Sequence, residues 1–264
     1  MTKPMPILDR FEAVDELSRQ VEEASAPIEV QSSELSVGAL AEVLILRSSW
    51  RGDGRDVRIK GAGDARHAAI SAVTKNLSAG SAVGPSAGAF HIVGSGEALD
   101  LSRHEFAAAA GRLAQESGMP VSAARVLKGA FSELMENVGQ HAGIGTKGLA
   151  IYELTARSIA VAVADSGQGI VKGYLTSQPD LAGLGAMDAL EWAVRQHRSR
   201  FTEPGRGTGF STVVRAMRTM DAALRVRSDD ASIEIEGVGD GTDWVVRDQP
   251  SIQGFVVSLQ LNWR

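Results

Sequence analysis

Apolar residues recur every three or four positions in some stretches of this chain and alternate or run unbroken in others, which predicts helices interleaved with strands. Phe11, Val14, Leu17 and Val21 make one stripe, so residues 11–24 read as a short amphipathic helix, a lead-in or a dimer contact. A strand from Ile28, a helix over 37–48, a strand over 57–60 and a helix over 64–77 follow, the last with Asp64 as its N-cap. Residues 78–89 are Ser, Gly and Ala with little else and carry no period, so they read as a surface loop or linker. The expected boundary lies near Gly96, dividing a small α/β domain, 1–96, from a larger one, 97–264.

The larger part opens with a helix over 102–116, where Ser102 and Glu105 have the spacing of a capping box. Pro120 and Ser122 start the next helix, in which Leu127, Phe131, Leu134 and Val138 form a buried stripe. Glycines at 143, 145 and 148 end it. Strands are expected over 149–154 and 159–164, the second apolar on both faces, and then over 224–228, 232–236 and 254–261, with a helix over 186–196 between the two groups. Strands paired after helices make an α+β chain.

Composition narrows the function. The 44% hydrophobic content supports a sizeable core, and a net charge of -5 without a long run of one sign argues against a nucleic-acid binder or a lipid-surface anchor. The chain has 0 cysteines, so thiolate chemistry and cysteine zinc sites are excluded and a reducing, cytoplasmic setting is expected. Its first ten residues lack an apolar leader core, and the run 37–46, interrupted by Glu42, is too short to span a bilayer. The 5 histidines have no His-x3-His spacing, and His104-Glu105 lacks the residues that follow a phosphoacceptor histidine. Gly61 and Gly63 precede Arg66, and Gly94 and Gly96 precede Leu99, where a dinucleotide fingerprint needs a third glycine.

Three stretches carry candidate chemistry. Glu133 and Asn137 lie off the apolar stripe about 40° apart around one helix, so a carboxylate and a hard amide oxygen can share a ligand. The alternative is an ordinary solvated polar face. Asp165-Ser-Gly-Gln-Gly169 brings a carboxylate straight out of a buried run, where it must find solvent, an Asx turn or a donor on a ligand. In Gly205-Arg-Gly-Thr-Gly-Phe-Ser-Thr-Val213, glycines at alternate positions run into a helix, which suits close approach to an anion but is not a Walker loop.

Taken in order, Glu-x3-Asn, Asp-x-Gly-x-Gly and Gly-x-Gly-x-Gly resemble the boxes of the Bergerat-fold, or GHKL, ATPases, nearest to histidine kinase-like and anti-sigma serine kinase domains. The resemblance covers roughly 102–264 and implies a two-layer α/β sandwich, a mixed sheet covered by helices. It implies ATP and magnesium as ligands: Asn137 on the metal, Glu133 as the catalytic carboxylate, and Asp165 as acceptor for the adenine amino group. Gly167 and Gly169 would be turn glycines beside the nucleotide. Gly205, Arg206, Gly207, Thr208 and Gly209 would cradle the phosphates, with 173–203 as a lid.

The implied function is a cytoplasmic Mg-ATP-binding regulator that hydrolyses ATP slowly or phosphorylates a protein partner, as a monomer or a homodimer. The alternative is a non-catalytic module in which nucleotide gates a protein interaction. One residue departs from the pattern: Phe255 follows Gly254 where the family has a threonine that supports the aspartate. The alternation over 28–77 also resembles, without a diagnostic motif, the small STAS domain.

Overall fold

The computed structural model describes residues 14–17, 19–21, 23, 27–31, 35–52, 57–61, 65–74, 80–93, 97–141, 147–195, 210, 213–214, 217, 220–237 and 243–264. Helix α1 contributes described residues between 14 and 23. After it come β1 (Ile28–Gln31), α2 (Val37–Gly52), β2 (Val57–Lys60), α3 (Ala65–Thr74), β3 (Gly80–Val83) and β4 (Ala87–Val93). Then follow α4 (Glu97–Glu116), α5 (Val121–His141), β5 (Lys147–Leu154), β6 (Ser158–Asp165), α6 (Gly169–Ser177), α7 (Ala186–Val194), β7 (Asp221–Gly237) and β8 (Asp243–Asn262). The chain is α+β, as the order of periodicities predicts.

Six strands form one sheet in the order β3-β4-β5-β6-β8-β7, while β1 and β2 pair in parallel by themselves. All five pairings of the large sheet are antiparallel, which corrects the mixed sheet expected from the resemblance. The connections explain this. Between β4 and β5 the chain runs out along α4 and back along α5, so it re-enters the sheet at the end where it left. Strands β3–β4, β5–β6 and β7–β8 are each joined directly.

Both faces of the sheet are buried. Ile159, Val161 and Val163 of β6 join the core beneath α4, α5 and α7, whereas Ala162 and Ala164 face a second core with Val14 and Leu17 of α1 and Leu40 and Val43 of α2. That is why β6 reads as an unbroken apolar run. The first core is centred on Phe106, whose ring lies 5.5 Å from Phe90, 5.7 Å from Phe131 and 5.5 Å from Tyr152. The N-terminal helices thus add a third layer to the two expected for 97–264, and β3 and β4, N-terminal to the expected boundary, lie in the same sheet.

Element assignments differ from the sequence reading in several places, among them β8, which starts at Asp243 and not near 254, and α6, which is not among the expected helices. Within the supposed loop 78–89, the described residues from Gly80 on form a hairpin closed by Gly84 N–H donating to the Ala87 carbonyl at 3.0 Å. Its residues are small because the buried Tyr152 lies opposite Gly88 and donates to the Gly84 carbonyl at 2.7 Å, so the bulk comes from the neighbouring strand. Helix α4 starts at Glu97, leaving Ser102 in its interior: Glu97 and Asp100 place negative charge in the first turn, where the helix dipole favours it. The strands expected at 224–228 and 232–236 are one strand, β7, with register shifts around Asp229. Even positions 224 and 226 face the first core before the shift and odd positions 231, 233 and 235 after it. Such a phase change is what a bulge produces.

Among the described residues no helix is long and apolar enough to cross a membrane.

Candidate functional site

Helix α5 buries Leu127, Phe131, Leu134 and Val138 as its spacing predicts, and leaves Glu133 and Asn137 half-buried to one side. Its C-terminal turns lie close to the sheet because Gly148 has no side chain: a Cβ there would stand 2.5 Å from Val138 Cγ1. Gly148 is the cross-strand partner of Asp165. The turn that holds Asn137 is therefore packed on the strand pair that ends in Asp165.

Asp165 closes β6 and is 6% exposed. Gly167 N–H donates to its Oδ1 at 2.7 Å, the Asx turn that is one of the readings open for this motif. Among the described residues that is the only hydrogen bond to its side chain, so one carboxylate oxygen is left to accept. Burial raises its pKa to about 7, against the opposing pull of the Gly167 amide. Two carboxylate oxygens, one donor and little water make a strong acceptor for a neutral donor.

Strand β8 fixes the backbone of this acceptor. Gly254 has φ 107°, and a Cβ on it would lie 1.9 Å from the Asp165 carbonyl oxygen, closer than any side chain tolerates. Gly254→Ala is expected to force β6 and β8 apart at this point and to destabilise the chain by about 3 kcal/mol or more, since φ strain and backbone overlap add. Urea denaturation reads this, and a loss under about 1 kcal/mol would contradict the close approach.

Beyond the turn, α6 starts at Gly169, φ 76°. Its first amides are bonded from a distance: Ile170 N–H donates to Ser228 Oγ at 2.9 Å and to Asp229 Oδ2 at 3.1 Å, and Val171 N–H to the same Oδ2 at 3.2 Å. Burial also raises the Asp229 pKa, opposed by these amides and by Ser228. Neither Ser228 nor Asp229 was singled out in the sequence, where Ser228 ends one expected strand and Asp229 falls in the gap before the next. The phase change in apolar positions across Asp229 was the available signal.

Phe255 pairs with Asp165 across β6 and β8, and its ring packs edge-on against Phe210 with centroids 6.0 Å apart. Phe210 immediately follows the alternate glycines. Phe255 thus supplies an apolar contact between Phe210 and the strand beside Asp165. Gly205, Arg206, Gly207, Thr208 and Gly209 themselves lie outside the described residues, as do Asp64 and Gly63. The stretch expected to form a lid, 173–203, holds the C-terminal part of α6, a short 3-10 turn at Pro179–Leu181, and α7, which packs on β7; residues 196–203 lie outside the described residues.

A scan against known protein families finds no family that matches this chain, and a search of curated proteins finds no significant match.

Proposed function

We propose that this chain binds ATP or ADP with magnesium in a site bounded by α5, the Asp165 turn and the glycines at 205–209, as a GHKL-type regulator. The observation that carries the reading is Asp165: a buried carboxylate, its pKa raised to about 7, with one acceptor oxygen unfilled among the described residues. An adenine amino group is a neutral donor of the kind that this oxygen lacks. The packing of Val138 of α5 on Gly148, opposite Asp165, supports the same reading, because Val138 follows Asn137 in the chain and Gly148 pairs with the residue that would hold the base.

In this reading Asp165 holds the base by accepting its amino hydrogen, and Asn137 offers an amide oxygen to the metal. Glu133 orients or deprotonates the attacking hydroxyl, which belongs to water in hydrolysis or to a partner's side chain in transfer. Bound magnesium would neutralise phosphate charge. Arg206 and the amides of Gly205, Gly207, Thr208 and Gly209 would face the phosphates. The Bergerat sandwich and the cytoplasmic setting belong to the same proposal, as does a regulatory protein partner.

Phe255 favours a second reading, in which nucleotide is bound without turnover and gates a protein contact. Its ring packs on Phe210, which joins the glycine segment to the base end of the site. Lid closure could then be read out through that apolar contact.

The deciding experiment is a titration with ADP and ATP, with and without magnesium, followed by thermal shift and phosphate release. Ligand at a hundredfold excess over Kd is expected to stabilise the wild-type protein by about 2.7 kcal/mol, and Asn137→Ala to lose the part that depends on magnesium. Absence of any shift in the wild type overturns the proposal. Binding without phosphate release or transfer selects the second reading.

A further inference from the structure

We infer that Ser228 and Asp229 are positioning residues for the Asp165 turn, holding it from the edge strand of the sheet so that the carboxylate oxygen that no described residue fills stays in place for a ligand. The inference rests on the nucleotide reading above.

Asp165 and Asp229 lie on strands that do not touch, β6 and β7, with β8 between them. They are nevertheless linked by a closed circuit of backbone. Ser228 Oγ donates to the Gly254 carbonyl at 2.8 Å and accepts from Ile170 N–H at 2.9 Å. Gly254 abuts the Asp165 carbonyl, and Ile170 follows the turn that Asp165 begins. A shift of any one member moves the rest.

Asp229 completes the circuit. The residue before α6, Gln168, gives the helix no side-chain cap, so the cap arrives from Asp229, whose Oδ2 accepts from Ile170 and Val171. The side chain can reach because the β7 bulge places Asp229 at φ 53°, the left-handed region that Asp and Asn tolerate best. Its other oxygen lies 2.7 Å from where a Cβ on Gly169 would stand, so the carboxylate is seated directly against the turn. The first α6 amides are thereby taken by the protein's own anion. A ligand meets this turn through Asp165, with its base rather than its phosphates.

Asp229→Gly removes the carboxylate and relaxes the backbone, whereas Asp229→Asn keeps an acceptor oxygen and tolerates the same φ. Calorimetry with ADP and with adenosine is expected to show about tenfold weaker binding of both by Asp229→Gly, as loss of a buried acceptor implies, and recovery to within about twofold in Asp229→Asn. A merely structural role would lower the melting temperature without this rescue pattern in affinity. If Asp229→Gly does not fold, Ser228→Ala, with Ser228→Thr as its rescue, makes the same test. Wild-type affinity in Asp229→Gly or in Ser228→Ala, or failure of the conservative variants to restore it, overturns the inference while the nucleotide reading stands. A wild-type protein that binds neither ADP nor adenosine overturns both.

Discussion

At pH 8, Asp165→Asn is expected to make the nucleotide-free protein more stable and to cost it most of its affinity for ADP. Asp165 is buried and its pKa is raised from 3.8 to about 7 by that burial, so at pH 8 the folded chain holds an ionised carboxylate that the unfolded chain would hydrate freely. Between roughly pH 4 and 7 the folded state binds the proton and the unfolded state does not. Stability from this group is therefore present in acid and lost as pH rises through about 7. At 1.36 kcal/mol per unit, the shift corresponds to at most about 4 kcal/mol of destabilisation at pH 8, which asparagine removes. Urea denaturation of both proteins at pH 4.5 and 8 should give a difference that is large at pH 8 and shrinks in acid. A pH-independent difference would contradict a titrating carboxylate.

The affinity argument runs on donors. Gly167 N–H already occupies one oxygen of Asp165, so in the asparagine variant the remaining atom is an NH2 group facing the adenine amino hydrogens. Turning the amide over sets the same NH2 against Gly167. Either way two donors meet, and the loss is expected to be about 1–3 kcal/mol, or tenfold to a hundredfold in Kd. Wild-type affinity for ADP should fall about tenfold for each pH unit below 7, as the acceptor is protonated, and the variant should show no such slope. Unchanged ADP affinity in Asp165→Asn would remove the base from this pocket.

The sequence made the α5 stripe and the strand that ends in Asp165 visible because α5 buries its apolar residues with a helical period and β6, buried on both faces, is an unbroken apolar run. It did not reveal the hairpin of 80–93, since Gly, Ser and Ala have no pattern of their own when Tyr152 supplies the bulk from the next strand. The circuit of Ser228, Asp229 and Gly254 was equally hidden. Its partners are 26 to 59 residues apart in the chain, and only the pairing of β7 with β8 and the bulge at Asp229 bring them together. A short Asp-x-Gly-x-Gly motif states that a turn is there. What steadies the turn is written in residues remote from it.

The same separation in sequence hid the charges under β7. Arg225 and Arg227, 2% and 0% exposed, point away from the α4–α5 layer toward Asp15 of α1 and Glu42 of α2. Arg225 bonds Asp15 at 2.6 Å and also reaches Glu234, while Arg227 pairs with Glu42 and donates to the Pro250 carbonyl at 2.6 Å. These ion pairs join the N-terminal helices to the strand that continues into Ser228 and Asp229, so the third layer and the candidate site share one strand. Arginines at alternating strand positions look solvent-facing in the sequence; here the N-terminal layer covers them.

Glu42→Ala is therefore expected to destabilise the chain by about 3–5 kcal/mol, because it leaves Arg227 with a buried charge whose closest counter-ion is gone. Asp15 stands 3.5 Å from Arg227 Nη1 and compensates in part, which places the expectation toward the lower end. The double variant Glu42→Leu with Arg227→Met removes both charges and keeps the volume apolar. It should recover most of the loss, since an apolar pair of similar size costs no desolvation. Urea denaturation of the two variants and wild type separates the outcomes: a loss below about 1 kcal/mol for Glu42→Ala would mean that water reaches Arg227. If the double variant fails to recover, the ion pair contributes stability beyond what burial alone explains. Should ADP affinity fall in Glu42→Ala and return in the double variant, the N-terminal layer acts on the site through the position of β7, not through the charges it carries.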